Sequence, residues 1–165
     1  MTTARTSFAR RSFRGVAVAA IAGAGIALSP LPASAHTAVA ASASATAVSS
    51  AAQTAVNTAL AQVGDRYVYG ATGPNSFDCS GLTSFSYKAA GISLPRTSKA
   101  QSTFGTPVSK GNLQPGDLVF FYSPVSHVAM YIGNGQIVHA LNSSKPVQVM
   151  KLDSMPSYAG ARRVA

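Results

Sequence analysis

One cysteine, Cys79, and three histidines, His36, His127 and His139, are the side chains of this sequence suited to nucleophilic chemistry. A thiolate attacks carbonyls and a thiol does not, and an ordinary thiol, with a pKa near ~8.5, is mostly protonated at neutral pH. An imidazole can remove that proton and later deliver it to a leaving group. The run Phe77-Asp78-Cys79-Ser80-Gly81-Leu82 leads into Thr83 to Ala90, where Leu82, Phe85 and Ala89 recur at helical spacing before Gly91. The spacing predicts a helix with Cys79 at its N-terminus, where free N–H groups and the macrodipole stabilise a thiolate. Asp78 stands where a helix cap is common.

Two downstream segments carry the histidines. Asp117 to Tyr122, His127 to Ile132, Gln136 to Leu141 and Val147 to Leu152 are short β-branched, aromatic and aliphatic runs broken by Gly, Pro, Asn and Ser. They predict an antiparallel sheet fed by the turn at Leu113-Gln114-Pro115-Gly116-Asp117. Helices first and sheet afterwards give an α+β fold. The link Gly133-Asn134-Gly135 decides where the histidines point. A two-residue Asn-Gly loop would pair Met130 with His139 and put His127 and His139 on opposite faces. A three-residue loop, a type I turn with Gly135 left-handed, would pair Ala129 with His139 and put them on one face. If His139 orients His127, the three-residue loop is expected.

The elements that come before the helix are simpler. Arg5, Arg10, Arg11 and Arg14, the apolar stretch from Val16 to Leu28, and Ala33-Ser34-Ala35 have the layout of a cleaved export signal over residues 1–35. The apolar stretch is short of the ~20 residues that span a bilayer. Arg10-Arg11-Ser12-Phe13 also resembles a twin-arginine signal, so both export routes stay open. Residues 36–50 are almost wholly Ala, Ser, Thr and Val, the composition of a flexible tether, which removes His36 from the chemistry. Val56, Leu60 and Val63 on an Ala-rich background predict a helix from Ala51 to Val63 closed by Gly64. Residues 51–165 then make one domain of ordinary size.

Charge and cysteine count exclude other classes. Thirteen Lys and Arg against four acidic residues give +9, but four of the thirteen precede residue 15, leaving nine against four, or +5. That remainder is scattered, without like-charge runs or aromatic interleaving, and does not describe a nucleic-acid surface. An exported chain with a single cysteine has no internal disulfide, so its thiol pairs with another chain, packs inertly, or reacts. Four aspartates and no glutamate offer no zinc-like ligand spacing, and no metal or other cofactor is expected.

Phe77-Asp78-Cys79-Ser80-Gly81-Leu82, Leu94-Pro95-Arg96-Thr97-Ser98, Gly116-Asp117-Leu118-Val119-Phe120-Phe121, Ser126-His127-Val128-Ala129-Met130-Tyr131-Ile132-Gly133 and Val138-His139-Ala140 together resemble, in order, the signatures of the NlpC-type cell-wall endopeptidases. The likeness runs from about Ala51 to Val164. It implies a papain-like core, helices packed on an antiparallel sheet, and hydrolysis of the bond between D-γ-glutamate and the diamino acid of peptidoglycan stems. It further implies Cys79 as nucleophile, His127 as base and His139 as the residue that holds His127. By the same resemblance Tyr67 lines the oxyanion region, Asp78 and Ser80 grip the free amino end of the stem peptide, and Arg96 is a further candidate contact. Ala71 departs from the pattern, which usually has a second Gly after Gly70.

The expected protein is therefore a secreted or wall-associated thiol protease. Its partner is the peptidoglycan stem peptide, with no nucleic acid, no stable membrane association once the signal is removed, and a monomeric state. Two other readings stay open from sequence: an amidase or an acyl or amide transferase on the same fold, and a wall-binding protein with an inactive site.

Overall fold

The computed structural model describes residues 48–165. The expected signal segment and all but the end of the expected tether lie outside them. Helix α1 spans Ser50–Leu60, starting at the last residue of the expected tether, one residue earlier than expected. Ser49 caps it, its hydroxyl accepting the Ala52 N–H at 3.0 Å. The buried face is Ala52, Ala55, Val56 and Ala59, an i, i+3, i+4, i+7 stripe. Leu60 and Val63, expected on that face, are exposed because the helix stops at Leu60. Small side chains bring α1 close to its neighbours. A Cβ on Gly116 (φ 98°) would stand 2.6 Å from the Ala52 Cβ, so only glycine fits there.

Strands β1 (Arg66–Tyr67) and β2 (Ser76–Phe77) form a small parallel pair just before α2, Cys79–Ala89. The Asp78 side chain accepts the Gly81 N–H at 2.7 Å, and the helix ends with Ile92 N–H on Tyr87 C=O and Gly91 N–H on Lys88 C=O. With Gly91 at φ 79° this is the doubly bonded left-handed cap that glycine allows. The face expected for this helix is rotated. Leu82, Thr83, Ser86 and Tyr87 are buried, while Ala89 is exposed and Phe85 only partly covered. Polar residues tolerate burial here because each is bonded: Ser86 to Leu82 C=O at 2.7 Å, Thr83 to Gln101 at 2.8 Å, Tyr87 to Gly116 C=O at 2.6 Å.

A four-residue helix, α3 (Ser98–Gln101), leads into the sheet. Its strands are β3 (Thr106–Val108), β4 (Leu118–Phe121), β5 (His127–Gly133), β6 (Gln136–His139), β7 (Gln148–Lys151) and β8 (Tyr158–Arg163). They run antiparallel in the order β3-β8-β4-β5-β6-β7. Four match the expected strands; β3 and β8 were not expected. Leu118, Phe120, Val128, Met130 and Val138 pack with α1 and α2, while Val119, Phe121, Ala129 and Ile137 pack with Leu152, Met155 and Ala161 on the other face. At the closing strand, Arg163 Nε and Nη2 donate to the two carboxylate oxygens of buried Asp117 at 2.8 and 2.7 Å.

The β5–β6 connection differs from expectation in mechanism. Met130 pairs with Val138 and Tyr131 with Ile137, so Ala129 faces His139, the register expected of a three-residue loop. Yet Gly133 pairs with Gln136, and Asn134 and Gly135 both have positive φ, 52° and 69°. The turn is thus the two-residue mirror-image turn that Asn-Gly prefers, and an irregularity at Ile132 absorbs the extra residue.

Candidate active site

Cys79 is the first residue of α2, positioned by the Asp78 cap. Its sulfur lies beside the start of β5, where the Val128 amide favours the thiolate. Because α2 packs on β5, Cys79 lies against the start of that strand, at Val128, the residue after His127. His127 is 4% exposed and His139 fully buried. Their shared face follows from the register, since His139 opposes Ala129 and His127 is two residues along the same strand. His127 Nε2 stands 3.1 Å from His139 Nδ1. That contact occupies one ring nitrogen of His127, Nε2, and leaves Nδ1 as the other.

A cleft of about 420 Å³ opens over Cys79, lined by Tyr67, Asp78, Ser80, Arg96, Tyr69 and Ser126 among others. Five of the seven residues expected from sequence therefore line one cavity, and the other two, His127 and His139, lie buried on β5 and β6. Asp78 does more than cap. Its Oδ2 accepts the Gly70 N–H at 2.9 Å and Arg96 Nη2 at 2.6 Å, and its Oδ1 accepts Gly81 N–H, Arg96 Nη1 and the Ser80 hydroxyl. Arg96 Nη1 also reaches Ser80 Oγ at 2.9 Å. Burial alone would raise the Asp78 pKa, but the Arg96 guanidinium and the Gly81 and Gly70 amides outweigh it and hold the carboxyl below its ordinary value. Arg96 is thus tied to Asp78 and Ser80, with its side chain 43% exposed at the cleft edge. Any cationic group that enters must share the Asp78 carboxylate with it.

Ala71 fits its place. It is outside the positive-φ region, unlike Gly70 at 80°, and its C=O accepts the Asp78 N–H at 2.9 Å. The position demanding glycine is Gly81, where any Cβ would collide with the Ala71 oxygen. Tyr67 is half-buried in the cleft, and burial, then the neighbouring Cys79 and Asp78, push its phenol pKa up.

Burial also governs the central groups. It pushes the Cys79 thiol up against the Val128 amide, and it pushes His127 down to about 3, helped by His139. His139 falls to about 4 through burial and the charge of Lys145. The helix start favours the thiolate, but burial of both partners favours a neutral thiol beside neutral imidazoles. A standing thiolate–imidazolium pair is therefore opposed by the surroundings. The arrangement can instead pass the thiol proton to His127 Nδ1 as sulfur attacks a carbonyl held in the cleft. The Cys79 N–H, unpaired among the described residues, faces no competitor as an oxyanion donor.

Sequence reading missed the support layer. Gln101, fully buried, donates to the Pro95 C=O at 2.9 Å and the Ser80 C=O at 3.2 Å while meeting Thr83, which fixes the Arg96 segment on α2. Gln148 meets the outer nitrogen of His139 at 3.5 Å. Neither carries a local signal: Gln101 reaches Ser80 and Thr83 on α2, and the Gln148 contact depends on the β6–β7 register.

Residues 64–163 match the NlpC/P60 family. A protein of Corynebacterium glutamicum named "Probable endopeptidase" is 51% identical over 114 residues, 69% of this chain and 54% of its own length. A "Gamma-D-glutamyl-L-lysine dipeptidyl-peptidase" of Bacillus cereus is 41% identical, over 68% of this chain and 36% of its own. The match thus spans about half or less of these relatives. The solved NlpC/p60 domain of peptidoglycan hydrolase SagA is 31% identical with a TM-score of 0.64, covering 68% of this chain and 98% of that one. A match over most of the described residues, with the α+β papain-like architecture already traced, makes the conclusion direct: the chain belongs to the NlpC/P60 family.

Proposed function

We propose that this protein is a secreted cysteine endopeptidase that hydrolyses peptidoglycan stem peptides at the bond between D-γ-glutamate and the diamino acid. The observation that carries it is the buried His127–His139 contact at 3.1 Å, taken with a cysteine at a helix start that opens on a cleft containing a carboxylate–guanidinium clamp. The name of the Bacillus cereus relative supports the bond chosen. In the proposed reaction Cys79 attacks the scissile carbonyl as His127 takes its proton. The Cys79 N–H and Tyr67 stabilise the oxyanion, and His127 then protonates the leaving amine. Water, deprotonated by His127, releases the acyl group. Asp78 and Ser80, held by Arg96, receive the free amino end of the stem, and His139 holds the base. The protein acts on the stem peptide as a monomer, in the wall or outside the cell.

Mass spectrometry of fragments released from defined peptidoglycan tests this. Release of an N-terminal dipeptide ending in glutamate is expected. Whole stems freed from the glycan would make the protein an amidase, amine-capped acyl products would make it a transferase, and wall retention without any fragment would leave a binding protein.

A further inference from the structure

Gln148 sits on β7 directly across from His139 on β6, so the two side chains share a face of the sheet. Its carboxamide nitrogen lies 3.5 Å from His139 Nε2. The proposed chemistry does not use this residue, yet it contacts the one ring nitrogen of the pair left over by the other contacts.

Both rings are held neutral near pH 7 by burial, so a single N–H lies between His127 Nε2 and His139 Nδ1. Two arrangements are possible. If His127 donates, its Nδ1 is an open base toward Cys79 and His139 carries its proton on Nε2. If His139 donates, its Nε2 is bare and His127 Nδ1 is already protonated, useless as a base. The group facing His139 Nε2 decides between them. Lys145, the charge that bears on His139, has only donors and cannot accept a proton from Nε2. A half-turn of the Gln148 carboxamide exchanges its nitrogen for its oxygen at the same place and supplies that acceptor. The 3.5 Å separation is long, as is common before substrate tightens a catalytic chain.

We propose that Gln148 is a positioning residue whose amide oxygen, accepting a proton from His139 Nε2, selects the tautomer in which His127 Nδ1 is free to act as base. The inference rests on the reading of Cys79 and His127 as nucleophile and base. It survives protonation of His127 during the reaction, because the imidazolium donates from Nε2 to His139 Nδ1 in the same sense. The chain Cys79, His127, His139, Gln148 is then a single directional relay of hydrogen bonds with its polarity set at the outer end.

The test has two arms. In the first, nitrogen NMR of the wild-type imidazoles, which needs no substrate, should show a protonated Nε2 on His139 and an unprotonated Nδ1 on His127. A proton on His139 Nδ1 overturns the proposal. In the second, Gln148→Glu offers only acceptors, Gln148→Lys only donors and Gln148→Met neither. Gln148→Glu should keep kcat within about threefold, while Gln148→Met and Gln148→Lys lose about tenfold and a hundredfold with KM unchanged, below the ~10⁴ that a wrong tautomer costs a serine triad. Equal kcat in the Glu and Lys variants, or wild-type kcat in the Met variant, overturns it. Gln148 is half-exposed on an edge strand, so these variants should fold. A protein inactive on peptidoglycan would defeat the functional reading while the NMR arm still decides the tautomer.

Discussion

His127 Nε2 and His139 Nδ1 lie 3.1 Å apart, and no water separates two buried rings at that distance. The contact fixes the His127 ring and commits its Nε2, so that in the proposed reaction Nδ1 is the nitrogen that serves Cys79. His139→Ala should therefore lower turnover by about 10²-fold, less than His127→Ala, because loss of an orienting group leaves the base in place. His139→Asn and His139→Gln, which keep a hydrogen-bonding group, should retain more. Steady-state kinetics on a defined muropeptide checks the order, and wild-type activity in His139→Ala would remove His139 from the mechanism.

Cys79→Ala tests the nucleophile. The thiol is the only one in the chain and stands at the first position of α2, a place that alanine fills without losing the Asp78 cap. Muropeptide release should fall by at least about four orders of magnitude, as for removal of other nucleophiles, while the thermal midpoint stays close to wild type. Appreciable residual release would redirect the search to another group.

The alkylation profile of Cys79 follows from the opposition between helix start and burial. With the thiol pushed up and His127 pushed down, the neutral pair prevails, so the rate constant should climb on the alkaline side of the ordinary thiol range. A plateau reaching below pH 7 would mean that the α2 N-terminus outweighs burial and that an ion pair stands ready before substrate arrives.

What could be read from the chain alone divides by range. Cys79 at a helix start and the four sheet strands follow from local pattern, since Asp78 and Gly91 act within a few residues. The register that unites the histidines does not, because the Asn134-Gly135 turn alone would separate them and the irregularity at Ile132 restores the shared face. The rotated face of α2 does not, because Thr83, Ser86 and Tyr87 are polar residues whose burial depends on Gln101 and Gly116. Strand β8 was hidden by its own composition, Tyr-Ala-Gly-Ala-Arg-Arg, which has no β-branched residue. It pairs because β4 needs a neighbour and Arg163 finds Asp117, both distant in sequence. The Arg96 clamp on Asp78 was likewise invisible, its partners being 18 residues apart.

Gly81→Ala should destabilise the fold although helices ordinarily favour alanine. The added Cβ would overlap the Ala71 oxygen and crowd Asp78 Oδ1 at 3.0 Å, and neither backbone nor the saturated carboxylate can move freely. A loss of about 1–3 kcal/mol, the usual range for overpacking, is expected from denaturant titration. Because the same shift disturbs the cap and the cleft, activity should fall with it. Unchanged or raised stability would show that the Ala71 segment yields.

The two buried histidines also set the acid side of the stability curve. Their pKa values are depressed from 6.5 to about 3 for His127 and about 4 for His139. Between those values and 6.5 the unfolded chain binds protons that the folded chain refuses, so stability rises with pH and is lost as pH falls below 6.5. Each histidine contributes a slope of up to about 1.4 kcal/mol per pH unit in that window. Asp78, whose folded pKa is lowered, adds a further loss only in the more acidic carboxylate range. The thermal midpoint should therefore drop steadily from pH 7 to pH 5, before any carboxylate titrates. Replacing both histidines by glutamine, with the variant folded at pH 7, should flatten that part of the curve while leaving the steeper fall near pH 3. A wild-type midpoint that is constant from pH 7 to pH 5 would mean that the imidazoles become protonated without leaving the fold, and that the burial which opposes their charge is relieved by water reaching the pair.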